Sequence, residues 1–317
     1  MQPVRCVFMG SPDFAVPTLR ALAAAHDVAL VVSQPDKPAG RGGQVTPPAV
    51  KVAAIELGLP VFQPRSAKTG ELEAKLRETG AELAVVVAYG KILPKGVLEA
   101  LPGGCINVHG SILPKYRGAA PIQWAVIDGE PETGVSIMQL DEGMDTGPVI
   151  LERRVSIGPE ETSGELFARL APLGAAACMD ALAQIAAGTA KRVPQDHAAA
   201  THAPMLTKAD GAIDFSLPAH EVAARIRGVD PWPGAQVKLR DQVVKVFRAI
   251  AHARPPAMEP PGTVVMIDAQ GVHVVCGTDS VIIRELQAPG KKRLSAKELA
   301  NGRGIAIGDL LGKPEIA

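Results

Sequence analysis

The densest group of chemically capable side chains runs Cys105-Ile106-Asn107-Val108-His109-Gly110-Ser111-Ile112-Leu113-Pro114-Lys115-Tyr116-Arg117-Gly118. On a β-strand, Asn107 and His109 project from one face, because successive side chains alternate. In open α/β sheets ligands bind at the carboxyl ends of the strands. An amide donor and an imidazole aimed at one point there suit a developing oxyanion. Taken alone, the pair also reads as a turn-capping Asn and a hydrogen-bonded core His. The loop after it, Ser111 to Gly118, carries two basic residues, a proline and a glycine, and long connections of this kind are often functional. Farther along, Asp141-Glu142-Gly143-Met144-Asp145-Thr146-Gly147 is an acidic turn between two apolar runs, Val135 to Leu140 and Pro148 to Leu151. A carboxylate from this turn can orient His109 and hold it as an imidazolium. A plain Asp/Gly turn is the alternative. The Gly/Pro-rich stretch Gln34 to Pro48 is too long for a simple βα turn and is positively charged at Lys37 and Arg41. It reads as a lid, a nucleic-acid-reading loop or a tolerated insertion.

These groups need elements to hold them. Val4–Met9, Asp27–Val32, Leu83–Ala88 and Cys105–Val108 read as strands. Leu83–Ala88 is apolar throughout, as in a parallel strand buried on both faces. Helical stretches fall between them at 16–25, 49–57 and 71–79, with further helices at 121–127 and 163–187. This alternation predicts an α/β, doubly wound sheet over residues 1–188. A polar, Ala-rich stretch, 189–207, reads as a linker. Beyond it, one helix (219–227) and short strands at 235–239, 242–249, 262–267, 272–275 and 281–286 predict a small β-barrel over 208–317.

Length and composition limit the rest. The 317 residues suffice for two domains, and 33 basic residues balance 33 acidic ones. That excludes a strongly basic whole-chain coat for nucleic acid and an acidic tail. The charge is uneven, however: 204–317 carries 15 basic against 12 acidic residues, which suits an accessory domain that meets a polyanion. The four cysteines, 6, 105, 178 and 276, lie too far apart in sequence for a short zinc motif, and a disulfide framework is not expected at this size. Cys105 reads as a buried, inert thiol. No metal is expected. The dinucleotide, phosphate-loop, zinc-protease and nucleophile-elbow signatures are all missing. The start of the chain lacks a signal-peptide pattern, and the apolar stretch Ala171–Ala187 is broken by Asp180 and Gln184. A cytoplasmic enzyme away from membranes is the expectation.

Asn107 to Pro114 together with Arg117-Gly118-Ala119-Ala120-Pro121-Ile122-Gln123 resembles the signature of formyltransferases that use 10-formyltetrahydrofolate. Further blocks resemble the methionyl-tRNA formyltransferases within that family: Gly10 to Phe14, Gln34 to Gly42, Val85 to Pro94, Asp141 to Gly147, Pro231-Trp232-Pro233 and Leu286 to Arg293. The resemblance spans nearly the whole chain, in order. It implies a Rossmann-like formyltransferase domain followed by an OB-like barrel, and a catalytic set at Asn107, His109 and Asp145. It implies folate contacts at Ser111, Ile112, Leu113 and Pro114, with Val87, Tyr89, Gly90 and Asp141. It also implies contacts to tRNA at Lys37, Arg41, Lys291, Lys292 and Arg293. The donor would be 10-formyltetrahydrofolate, with tetrahydrofolate as product, the acceptor an initiator methionyl-tRNA, and the enzyme a monomer. Two rival readings remain at this point. One is a folate-dependent N-formyltransferase acting on a nucleotide-linked sugar or purine precursor. The other is a non-catalytic RNA-binding protein that uses the barrel alone.

Overall fold

Apolar runs alternate with helices from the start of the chain. The computed structural model describes residues 3–39, 44–254, 258–302 and 304–315. The elements run β1 (Arg5–Gly10), α1 (Val16–Ala25), β2 (Asp27–Val32), β3 (Lys37–Ala39), β4 (Gln44–Thr46), α2 (Ala49–Glu56), β5 (Val61–Phe62), α3 (Glu71–Glu78) and β6 (Leu83–Val87). They continue as α4 (Lys95–Leu98), β7 (Cys105–His109), β8 (Arg117–Gly118), α5 (Pro121–Ile127), β9 (Glu132–Gln139), β10 (Val149–Ser156), α6 (Ser163–Ala186) and β11 (His202–Ala203). Two compact units emerge. The first comprises Met1–Pro121, Gly134–Val155 and Phe167–Ala203; the second comprises Ile122–Thr133, Ser156–Leu166 and Pro204–Ala317.

The first unit is built on one sheet of order β10-β9-β7-β6-β1-β2-β5. β5, β2, β1, β6 and β7 run parallel, and β9 is antiparallel to β7. Strand parity explains its two faces. Val7, Met9, Ala84, Val86 and Cys105 join Leu72 and Leu76 of α3 and Val97 and Leu98 of α4 in one apolar cluster. Val108 projects from the other face onto α6, where a Cβ added at Gly174 would come within 2.9 Å of it. Helices therefore cover both faces, as the doubly wound expectation requires. Three features depart from the sequence reading. The apolar runs beside the acidic turn are full strands, β9 and β10, and β9 is buried from Thr133 to Met138, so it shows no alternation. The 34–48 stretch contains the antiparallel pair β3 and β4. The polar stretch after α6 lies along the first unit: Val193 bridges Val149, and β11 pairs in parallel with β8. By length and composition α6 could cross a membrane, but half of its most apolar window is buried within the protein, as in a core helix.

The second unit adds α7 (Ala219–Gly228), β12 (Ala235–Leu239), β13 (Gln242–His252), β14 (Val264–Ile267), β15 (Val272–Val275), β16 (Ser280–Gln287), β17 (Leu294–Ser295), α8 (Ala296–Asn301) and β18 (Leu311–Gly312). The sheet order is β14-β15-β16-β13-β12-β18, with β17 on β16. Its ends meet: Leu311 N–H donates to Gly262 O at 2.8 Å and Val264 N–H to Asp309 O at 2.8 Å. Pairing around the curl leaves few free strand edges, which is the advantage of a barrel over an open sheet. α7 lies on this sheet, with Arg227 donating to Ala249 O at 3.0 Å. The final strand, β18, and α8 were not anticipated, because a two-residue strand carries no period to read.

Candidate active site

β7 presents Asn107 and His109 on one face at its carboxyl end, and both are buried, at 9% and 5% exposure. The loops after the neighbouring parallel strands are tied together beside it. Gln34 N–H donates to Ser11 Oγ at 3.2 Å, and its side chain donates to Tyr89 O at 2.8 Å. This joins the connections that follow β1, β2 and β6. The carboxyl edge of the sheet therefore carries loops that are cross-linked to one another.

His109 Nε2 lies 2.9 Å from the Tyr116 carbonyl, which can only accept, so this nitrogen carries a proton. The remaining nitrogen, Nδ1, faces Asp145 Oδ2 at 3.7 Å, beyond a hydrogen bond but within strong Coulomb range. Asp145 is held in turn by the Gly118 N–H, which donates to the same Oδ2 at 2.8 Å. Gly118 has φ +124° and would drive a Cβ to 2.7 Å from Ala203 O, so only glycine fits here. Asp145 itself has φ +53°, and Tyr116 and Ala88 are also left-handed. Left-handed non-glycine residues are costly, and they persist where surrounding contacts impose them. The Asn107 side-chain amide has no hydrogen-bond partner among the described residues. An amide that keeps its hydrogen-bonding atoms open to solvent beside an imidazole–carboxylate pair suits an incoming carbonyl oxygen. Among the described residues, no cluster of three or more His, Cys, Asp or Glu could hold a metal.

Residues 4–182 match the formyl transferase family, and residues 205–304 match the formyl transferase C-terminal domain. The methionyl-tRNA formyltransferase of Sorangium cellulosum (strain So ce56) is 48% identical over 313 residues, covering 98% of this chain and all of that protein. That of Myxococcus xanthus (strain DK1622) is 45% identical over 308 residues, covering 97% and 98%. The chain belongs to the methionyl-tRNA formyltransferase family. It is a formyl-transfer enzyme. The fold agrees with an N-formyltransferase from Helicobacter canadensis, solved with folinic acid and dTDP-3-aminofucose. The TM-score is 0.67 at 16% identity, covering 90% of this chain and all of that one.

In this formyltransferase the other residues singled out by sequence fall into distinct settings. Ser111 and Leu113 are buried, with Ile112 and Pro114 half-buried between and beyond them. Ser111 Oγ donates to Lys115 O at 2.6 Å, and Ser136 Oγ donates to Ser111 O while accepting from Leu113 N–H. These hydroxyls shape the loop, and the Ile112 side chain lies over Gly134, where an added Cβ would come within 2.5 Å of it. After β6, Val87 and Tyr89 are buried and Gly90 is exposed. Burial pushes the Tyr89 phenol up to about 12, and its hydroxyl has no partner. Asp141 is exposed and accepts from Thr146 Oγ1 and Gly143 N–H, which shapes the acidic turn.

The basic residues divide as well. Lys37 is exposed and donates to Gln34 Oε1 at 2.7 Å. Arg41 lies outside the described residues. Lys291 and Lys292 are exposed. Arg293 is exposed as well, but its guanidinium is engaged: it lies 3.5 Å above the Phe247 ring and pairs with Glu285 at 3.3 Å and Asp230 at 3.4 Å. Cys105 is buried, and burial pushes its thiol up to about 12, which leaves it inert. Sequence reasoning missed Gln34, Ser136 and Gln195 as organisers. Of these, only Gln34 lay in a motif already singled out.

Proposed function

We propose that this chain transfers the formyl group of 10-formyltetrahydrofolate to the α-amino group of an initiator methionyl-tRNA, with Asn107, His109 and Asp145 as the catalytic set. The observation that carries the reading is the His109–Asp145 pair beside the unpartnered Asn107 amide. The folate supplies the formyl carbon. A free α-amino group has a pKa of roughly 7.7–8.0, and esterification of the carboxyl lowers it, so much of the amine is neutral near pH 7. Its nitrogen attacks the formyl carbon, forming a C–N bond. Negative charge then grows on the formyl oxygen. Asn107 donates to that oxygen, and His109 donates from Nδ1, since Nε2 already serves Tyr116 O. His109 does so in its protonated form, and Asp145, 3.7 Å from Nδ1, accepts the proton lost by the amine. The bond from carbon to the folate nitrogen breaks, and a proton from His109 or water goes to that nitrogen.

The loop Ser111–Pro114, with the backbone of Val87, Tyr89 and Gly90 and with Asp141, borders the folate in this reading. Lys37, Arg41, Lys291 and Lys292 meet phosphates. Residues 1–188 act as the catalytic domain, 189–207 as the connection and 208–317 as the tRNA-binding domain, in a monomer that works in the cytoplasm. The full-length relatives named for methionyl-tRNA, together with the match to the C-terminal domain, favour tRNA over a nucleotide-linked sugar or purine precursor. The test is direct: purified protein, 10-formyltetrahydrofolate and charged initiator tRNA should give N-formylmethionyl-tRNA. Asp145→Asn should lower kcat by about 10²–10³ with little change in either KM. Formylation of an aminosugar nucleotide in place of the tRNA, or a loss confined to KM, would overturn the reading.

A further inference from the structure

The polar stretch that follows α6 makes contacts beyond those of a tether. Gln195 is 8% exposed, and its carboxamide is fully engaged. Oε1 accepts from Arg117 Nε at 3.1 Å and from its terminal nitrogen at 2.7 Å. Nε2 donates to the Asp145 carbonyl at 2.9 Å and to the Gly147 carbonyl at 2.7 Å. Two lone pairs and two N–H groups are thus all matched. Reversing the amide would set its NH2 against a guanidinium and its oxygen against two carbonyls, so one orientation is imposed. Arg117 is itself 5% exposed. A few residues later Thr201 accepts from Arg117 N–H through its carbonyl and from Tyr116 N–H through its hydroxyl.

This segment therefore grips both supports of the catalytic pair. It holds the Tyr116 peptide whose carbonyl orients His109, and it holds the backbone of Asp145 in a left-handed conformation. We infer that Gln195 is a positioning residue for formyl transfer: its carboxamide, anchored by buried Arg117, clamps the Asp145–Gly147 backbone so that the Asp145 carboxylate is aimed at His109. It has no route to the reacting atoms, since all four of its hydrogen-bonding positions are occupied. Its influence passes through Asp145, and the inference rests on Asp145 being the site carboxylate.

Gln195→Glu is the near-isosteric probe. It keeps an acceptor for Arg117 but sets a second oxygen against the two carbonyls. kcat should fall by about 100-fold, the loss expected when a reacting group is displaced by about 1 Å. KM for 10-formyltetrahydrofolate and for methionyl-tRNA should stay within about twofold. Gln195→Met, which fills the space without polar atoms, should lose kcat in the same sense and serves if the glutamate variant does not fold. The decisive readout is a double-mutant cycle. In an Asp145→Asn background, Gln195→Glu or Gln195→Met should cost less than about threefold further, because the group it aims has already gone. A loss that multiplies in full, a loss carried by KM, or unchanged kcat in the single variants would each overturn the inference. If Asp145→Asn alone has no effect, the reading of the catalytic set fails first. If Asp145→Asn is impaired while Gln195→Glu and Gln195→Met are not, only the role of Gln195 fails.

Discussion

The Tyr89 hydroxyl is buried in an apolar cluster with Leu72, Leu76 and Val97, and it has no hydrogen-bond partner. An unsatisfied buried hydroxyl costs about 1–3 kcal/mol of desolvation. Tyr89→Phe removes that group and keeps the ring, so stability should rise by roughly 1 kcal/mol. The KM for 10-formyltetrahydrofolate should not move, because the side chain packs inward while Ala88, Gly90 and Ile92 are the exposed parts of this loop. Chemical denaturation paired with folate titration checks both halves. A raised KM would mean that the hydroxyl reaches the pterin in the complex. At this scale the sequence was informative where spacing carries geometry. Asn107 and His109 differ by two on an apolar strand, and that parity places both on one face. From the residues alone Asp145 is one acid in an acidic turn, and only the family resemblance singles it out. Its aim depends on Gly118 and Gln195, which are distant in sequence. Gln195 was invisible, because a glutamine in a polar stretch looks the same whether it is solvated or clamping a backbone.

The helices and strands were legible to the degree that their burial follows a period. α1 and β2 show patterns that sequence alone resolves. β9 does not, since it is buried along nearly its whole length, and β8 and β11 are two residues each. The start of α6 illustrates how local chemistry sets a boundary. Thr162 Oγ1 accepts from Glu165 N–H at 3.2 Å while the Glu165 carboxylate accepts from Thr162 N–H at 3.0 Å, a reciprocal cap. Glu165 also pairs with Arg248 at 2.8 Å. The Thr162 backbone N–H, then the Thr162 hydroxyl and Arg248, hold the Glu165 carboxyl below its ordinary value, against a smaller opposing effect of burial. Because the folded-state value is depressed, the stabilisation is complete above the unfolded value of about 4.3 and is lost as pH falls through the folded value. Thr162→Ala should cost about 1 kcal/mol at neutral pH. Glu165→Gln keeps an acceptor for the cap but cannot titrate. The gap between wild type and Glu165→Gln in unfolding midpoint should therefore be present at pH 7 and shrink progressively as pH falls below about 4.3. A gap unchanged by pH would reject the assignment.

Across the whole molecule the charges balance, with 33 basic and 33 acidic residues, so attraction to a polyanion must come from placement. Many of the arginines of the second unit are engaged in ion pairs: Arg240 with Asp309, Arg248 with Glu165, Arg284 with Glu160 and Arg293 with Asp230 and Glu285. Lys291 and Lys292 sit just before Arg293 and are exposed. The basic run 291–293, uniform as sequence, thus splits by physical role. Each phosphate contact contributes a slope of about −0.7 to −0.9 in log K against log salt, depending on strandedness. Removing Lys291 and Lys292 together should weaken tRNA binding and flatten that slope by about 1–2, with an unchanged unfolding midpoint. Arg293→Ala should act in the opposite order. It leaves Glu285 and the mostly buried Asp230 without their partner and strips a cation from the Phe247 face, so the unfolding midpoint drops while the salt slope stays near that of wild type. Binding isotherms at several salt concentrations, read beside thermal melts of the same variants, separate the two roles. If Arg293→Ala flattens the slope as much as the lysine pair does with no loss of stability, the run acts as one phosphate-binding patch, and the barrel's internal pairing is incidental to it.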